Sequence, residues 1–221
     1  MSAPEEFQRA RRPEHKQQRR DAILDAARTL ARDRRVQHIS LGDVAAAAGM
    51  AKSNVLRYFE TREEIYLQLT LEAFEEWTGL LAERLFADPP GGPLQLADAI
   101  AGTLSERPVL CDLFAQMSAT LEHNVSPAAV LDFKTAITAR TLKAAEVISA
   151  AFPAVTVEQA MDLAGATYVV VAGLWPASNP PPEVARLLEE AGLHHARMDF
   201  DTILRRLLRA IIVGLPAAGP L

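Results

Sequence analysis

Lys52, Ser53, Asn54, Arg57 and Tyr58 crowd seven consecutive positions with donors and acceptors suited to recognition rather than to bond-making. An asparagine can hold an adenine edge through two hydrogen bonds and a lysine can reach a guanine, each good pairing worth about 1–3 kcal/mol of discrimination. Ser40, Thr61 and Arg62 stand beside expected helix starts, where free backbone N–H groups favour anions, and are the candidates for phosphate oxygens. Groups able to do covalent chemistry are sparse. The five histidines are His15, His38, His123, His194 and His195, and none has the i, i+4 partner and carboxylate of a hydrolytic metal site. Adjacent side chains diverge on a helix, so His194-His195 near Asp199 and Asp201 reads as a solvated helix end. Cys111 lies in an apolar run with Leu110 and Phe114, the setting of a buried inert thiol, and one cysteine excludes an internal disulfide framework. There is no nucleophile elbow and no phosphate loop. The expectation is therefore no catalytic residue, no metal and no cofactor.

The recognition residues need a frame, and SLGDVAAAAGMAKSNVLRYF over residues 40–59 supplies one. Ser40 is placed to cap a helix with Asp43 at the reciprocal position of a capping box. Small Val and Ala residues follow, Gly49 ends that helix, and a second short amphipathic segment runs from Lys52 to Tyr58. Two short helices about a glycine turn make a helix-turn-helix. Upstream, Ile23, Ala26, Ala27, Leu30 and Ala31 form one stripe of a helix over 15–34, and residues 1–14, with Arg9, Arg11 and Arg12 but no apolar period, are expected as a mobile basic arm.

Composition sets the class. Hydrophobic residues are 49% and aromatic residues 6% of 221, with Ala and Leu favoured over β-branched alternation, so the chain is expected to be all-α with about nine to ten helices. Even Tyr168-Val169-Val170-Val171 lies within helical periodicity. The net charge of -5 conceals a polarity: residues 1–60 hold 12 Lys and Arg against 8 Asp and Glu, and the remainder 11 against 20. A basic head on an acidic body suits an approach to phosphates by the head alone. Residues 1–20 have no apolar signal core, and no run of about eighteen apolar residues occurs. The expectation is a cytoplasmic protein with no membrane span.

Beyond Glu60 the expected helices run from Thr61 to Phe86, Leu94 to Glu106, Pro108 to Glu122, Pro127 to Ala151, Val157 to Leu174, Glu183 to Ala191 and Asp199 to Val213. Thr61 with Glu64 reads as a second capping box, Asp88-Pro-Pro-Gly-Gly-Pro93 is the sharpest break, and Pro176 to Pro182 reads as a stiff loop. The Val157–Leu174 and Asp199–Val213 helices carry more apolar surface than one core needs and are the candidates for a homodimer interface.

From Arg20 through Ile65 the chain resembles the DNA-binding domain of the TetR (tetracycline-repressor) family, on AILDAARTLA, SLGDVAAAAGM, KSNVLRYF and TREEI. Ala51 stands where the family commonly has Ser or Thr, Leu56 where it has Tyr, Asn54 where it has Thr or Ser, Arg62 where it has Lys, and Gly42 replaces a longer polar residue. The resemblance implies a three-helix DNA-binding domain over 15–60 and a helical ligand-binding and dimerisation domain over 61–221. It also implies a repressor, bound as a homodimer to a palindromic double-stranded DNA operator and released by a small hydrophobic effector. The residues expected to line the effector cavity are Trp77, Leu81, Phe114, Met117, Leu121, Phe133, Thr167, Tyr168 and Val171, with His123, Asn124 and Tyr168 orienting the ligand. A helix-turn-helix dimer without an inducer and a cytoplasmic helical enzyme are the alternatives.

Overall fold

The computed structural model describes residues 5–193 and 198–218, and these are helical without strands. His194 and His195 lie outside the described residues, as do residues 1–4 of the expected arm. Helix α1 runs Glu5–Asp33, ten residues earlier than expected, so the segment read as an arm continues the first helix from Glu5. Straight-chain Glu, Gln and Arg are good helix formers, and a polar helix carries no apolar period to announce it. The side chains of Arg9, Arg11 and Arg12 are outside what is described.

A 3-10 turn, Val36–His38, leads to α2, Leu41–Ala47. The capping box at its start is complete: Ser40 Oγ accepts from the Asp43 amide at 3.1 Å, and the Asp43 carboxylate accepts from the Ser40 amide at 2.7 Å. The Ser40 hydroxyl also donates to that carboxylate at 2.7 Å, and this bond, with the one from the Ser40 amide, holds the Asp43 carboxyl below the usual carboxylate range. The helix ends in a Schellman motif, with Met50 N–H to Ala45 O and Gly49 N–H to Ala46 O, and Gly49 takes φ +64°. Nothing lies within 4 Å of a Cβ built there. Gly49→Ala is therefore expected to cost about 1–2 kcal/mol through backbone strain alone, read as a lower urea midpoint. Helix α3 is short, Lys52–Val55, and one further hydrogen-bonded turn carries the chain to Phe59.

Helix α4, Arg62–Ala87, is the spine of the molecule. Its first turn keeps half the expected capping box: Thr61 accepts from the Glu64 amide, while the Glu64 carboxylate accepts from the Glu60 amide, one residue earlier than expected. Helices α5 (Pro93–Ser105), α6 (Pro108–Gln116), α7 (Pro127–Ala151), α8 (Val157–Ser178), α9 (Pro182–Glu190) and α10 (Phe200–Ala218) build the body. Proline in the first turn of α5, α6, α7 and α9 suits it, because the N–H it lacks has no partner there. The helix expected to reach Glu122 leaves α geometry at Met117 and completes a π turn, Met117–Leu121. Helix α8 passes through Pro176 to Ser178, so the expected stiff loop begins later; the proline sits in the last turn, and Asn179 closes the end on the Trp175 carbonyl.

Two hydrophobic cores form, and their division does not follow the expected domain boundary. One unites α1, α2, α3 and the first half of α4 with Leu113, Met117, Leu121 and Phe133. The other joins the second half of α4 to α5, α6, α7, α8 and α10. Among the described residues α8 is long and apolar enough to cross a membrane, yet it packs along α6, α7 and α10. Its Val169 and the Leu207 and Val213 of α10 stay exposed. No residue of α9 is buried.

Candidate functional site

The recognition segment presents a polar face because its apolar residues are spent inward. Val55 and Phe59 are buried in the core that unites α1, α2, α3 and the first half of α4, called the reader core after the expected DNA-reading helices. That leaves Lys52, Ser53, Asn54 and Arg57 exposed together. Leu56 is also exposed and Ala51 caps nothing, so both departures from the family pattern remove a polar group from this surface. Tyr58 is half-buried. Its carbonyl accepts from Arg20 Nη1 at 2.7 Å, and the Arg20 guanidinium stacks 4.2 Å over Phe59, so α1 locks the end of the segment. Ser40 is exposed, and Thr61 is half-buried at its cap.

Arg62 departs from expectation. Its guanidinium turns inward, donating to the carbonyls of Val36 and Ile39, pairing with Glu63 at 2.8 Å and lying 5.0 Å from the Tyr66 ring. The Ile39 carbonyl just past the 3-10 turn draws the donor in, the Val36 carbonyl accepts it beside the Ile39 amide, and Glu63 and Glu64 already supply the negative charge that the start of α4 favours. Tyr66 is buried with its hydroxyl unpartnered, and burial raises its pKa against the opposing charge of Arg62. Arg62→Ala is thus expected to destabilise the fold by about 1.5–3 kcal/mol, since hydrogen bonds to a charged donor are lost. DNA affinity measured against salt should keep its slope, whereas loss of a phosphate contact would lower it by about one.

A second polar cluster joins reader to body. Asp112 on α6 is buried, and its carboxylate accepts from Arg35 Nη1 at 2.9 Å, from the Val36 amide at 2.8 Å and from the Trp175 indole at 3.3 Å. Arg35 also donates to the Asn179 carbonyl at the end of α8. One carboxylate thus ties the turn before α2 to both α6 and α8.

The body holds a cavity of about 250 Å3 that is partly open to the surface. Helix α4 contributes Phe74 and Trp77, α5 Ile100 and Leu104, and α6 with its π turn Phe114 and Met117. Helix α7 adds Lys134, Ile137, Thr138, Thr141, Ala144 and Ile148, and α8 adds Leu163, Ala164, Gly165, Thr167 and Tyr168. Phe74, Trp77, Phe114 and Tyr168 form a connected aromatic wall, with centroid separations of 5.3, 6.1 and 5.5 Å. Of the expected lining, Trp77, Phe114, Met117, Thr167 and Tyr168 meet there. Leu81 and Val171 are fully buried in the body core, and Leu121 and Phe133 belong to the reader core. His123 and Asn124 are exposed on the turn beyond Leu121. The polar residues of α7 went unforeseen because that face reads as solvated surface. Cys111 is buried beneath, its thiol against the Leu104 carbonyl, and burial pushes its pKa up to about 12, which keeps it a thiol at neutral pH.

Residues 23–69 match the sequence family described as bacterial regulatory proteins, tetR family, and residues 71–219 match the tetracyclin repressor-like C-terminal domain. The chain belongs to the TetR family. A similar protein is the HTH-type transcriptional repressor LfrR of Mycolicibacterium smegmatis, 38% identical over 78 residues, which are 35% of this chain and 39% of LfrR. Among solved structures, a TetR transcriptional regulator from Rhodococcus sp. RHA1 aligns with TM-score 0.58 at 16% identity, over 91% of this chain and 97% of that one. The TetR family repressor AlkX from Dietzia sp. aligns with TM-score 0.54 at 19% identity, over 90% and 95%. At such identities these likenesses establish the TetR fold, reader and helical body together, across nearly the whole chain.

Proposed function

We propose that this TetR-family protein is a homodimeric transcriptional repressor that binds a palindromic DNA operator and is released from it by a small hydrophobic effector. It acts in the cytoplasm and catalyses no reaction. The observation that carries the reading is the joint one: an exposed recognition face backed by a core that runs without interruption to the wall of an apolar cavity. Met117 belongs to the reader core and also lines the cavity.

Lys52, Ser53, Asn54 and Arg57 meet base edges and phosphates in the major groove, with Ser40 and Thr61 flanking them and Tyr58 at the rim. Two such segments must lie about 34–36 Å apart to enter successive grooves, which a dimer provides. The exposed apolar residues of α8 and α10 support a four-helix interface through these two helices. An occupant of the cavity presses on α4 and Met117, changes the separation of the heads and weakens operator binding, with coupling typical of allosteric proteins at about 1–3 kcal/mol.

Footprinting on the DNA upstream of the coding gene tests the reading. Two symmetric protected half-sites about one helical turn apart, with a dimer in sedimentation at micromolar concentration, are expected. A monomer, or no protected site, refutes it.

A further inference from the structure

The cavity carries a chemical preference that its apolar character alone does not state. Four threonines are buried in helices, and three of them donate to a carbonyl one turn back: Thr70 to Tyr66, Thr78 to Phe74 and Thr103 to Ala99. Thr167 is the exception. It lines the cavity from α8, is 4% exposed, and its hydroxyl has no hydrogen-bond partner. A buried hydroxyl without a protein partner is costly, so this one is suited to a partner from outside the protein.

Three of the other polar groups of the wall are already engaged, and Thr138 on α7 is exposed to solvent. The Trp77 indole donates to Thr103 Oγ1 at 3.0 Å, and the Thr141 hydroxyl donates to the Ile137 carbonyl at 2.8 Å. No Asp or Glu is among the lining residues, and the one charged group, Lys134, pairs with Glu122 at 2.7 Å. A cationic occupant would meet no carboxylate in the wall and would leave water to face a lysine.

We propose that the effector is a compact, largely aromatic molecule without positive charge that carries a carbonyl-type acceptor, and that Thr167 donates a hydrogen bond to it. The inference rests on the cavity being an effector site. The aromatic wall of Phe74, Trp77, Phe114 and Tyr168 supplies the apolar contact, and the hydroxyl selects among apolar molecules. Such selection is strong where a buried hydrogen-bonding group is left unpaired by the wrong ligand.

The test compares two molecules of nearly the same shape, 2-acetylnaphthalene and 2-isopropenylnaphthalene, by calorimetric titration into the full-length protein. The ketone is expected to bind about ten-fold more tightly than the alkene, the size of one buried hydrogen bond. In Thr167→Val the two should bind equally, with the alkene affinity unchanged; Thr167→Ser, which keeps the hydroxyl, should retain the preference. The cation 2-naphthyltrimethylammonium should bind at least about ten-fold more weakly than the ketone. Equal binding of ketone and alkene to the unaltered protein, a preference that survives Thr167→Val, or a cation as tight as the ketone overturns the acceptor inference while leaving a ligand site in place. Binding of neither naphthalene overturns the ligand site itself. Release of the protein from its operator, read separately by fluorescence anisotropy, reports on the repressor reading independently of which molecule fits.

Discussion

Asp112→Ala is expected to lower the unfolding free energy by about 3 kcal/mol, the low end of what removing one partner of a buried ion pair costs. The low end applies because Arg35 retains some water contact while Asp112 has almost none: their side chains are 29% and 6% exposed. The change strands three donors at once, the Arg35 guanidinium, the Val36 amide and the Trp175 indole. For a chain of this length the thermal midpoint should fall by roughly 6–12 °C. Asp112→Asn preserves the shape and can still accept from the amide, so its loss should be smaller. A thermal midpoint for Asp112→Ala within about 2 °C of the unaltered protein would mean that solvent replaces the carboxylate, and that the cluster does not hold reader and body together.

The second large effect concerns DNA. Removing both cations from the recognition face, Lys52→Ala with Arg57→Ala, is expected to weaken binding to the upstream DNA by at least about 30-fold at moderate salt, each group contributing roughly 1–3 kcal/mol. Both side chains are exposed and neither has a partner inside the protein among the described contacts, so the thermal midpoint should not move. The slope of log affinity against log salt should become shallower by about two if both groups meet phosphates, and by less if one reads a base. Retention of affinity within a few-fold would remove α3 from the interface. Set beside Arg62→Ala, the pair separates two kinds of basic residue: one set reaches outward, and one holds the reader closed.

Much of the reader was legible because its signals are local. Ser40 with Asp43, Gly49 before Met50, and Thr61 before Glu64 are each decided by neighbours a few residues away, and the structure places a cap, a left-handed turn and a helix start at those positions. The prolines at 108 and 127 marked helix starts for the same reason, and those at 93 and 182, read as the last residues of a break and a loop, are the first residues of α5 and α9. The extension of α1 from Glu5 was not legible, because a polar helix has no apolar stripe. Nor was the direction of the Arg62 guanidinium, since a basic residue at a helix start looks the same whether it faces outward or folds back onto carbonyls. Periodicity identified the inward faces of α4, α6 and α8, but could not say which inward residues meet a void. Leu81 and Val171 face inward as Trp77 and Thr167 do, and only the second pair reaches the cavity. The Asp112 cluster did leave a trace, a carboxylate between Cys111 and Leu113 in an otherwise apolar run, but its partners lie 63 to 77 positions away in the chain.

The core that spans the reader and the first half of α4 bears on how such proteins can be recombined. Ile65, Tyr66 and Leu69 are buried against the reader, and Leu113, Met117, Leu121 and Phe133 of the body complete the same cluster. A chimaera spliced at residue 60, giving this body the recognition helices of a relative, would set one parent's apolar surface against another's unmatched one. The transplantable unit is instead the reader together with its half of α4 and the four body residues that seal it. In this fold new DNA specificity travels by substitution on the α3 surface more readily than by exchange of whole segments.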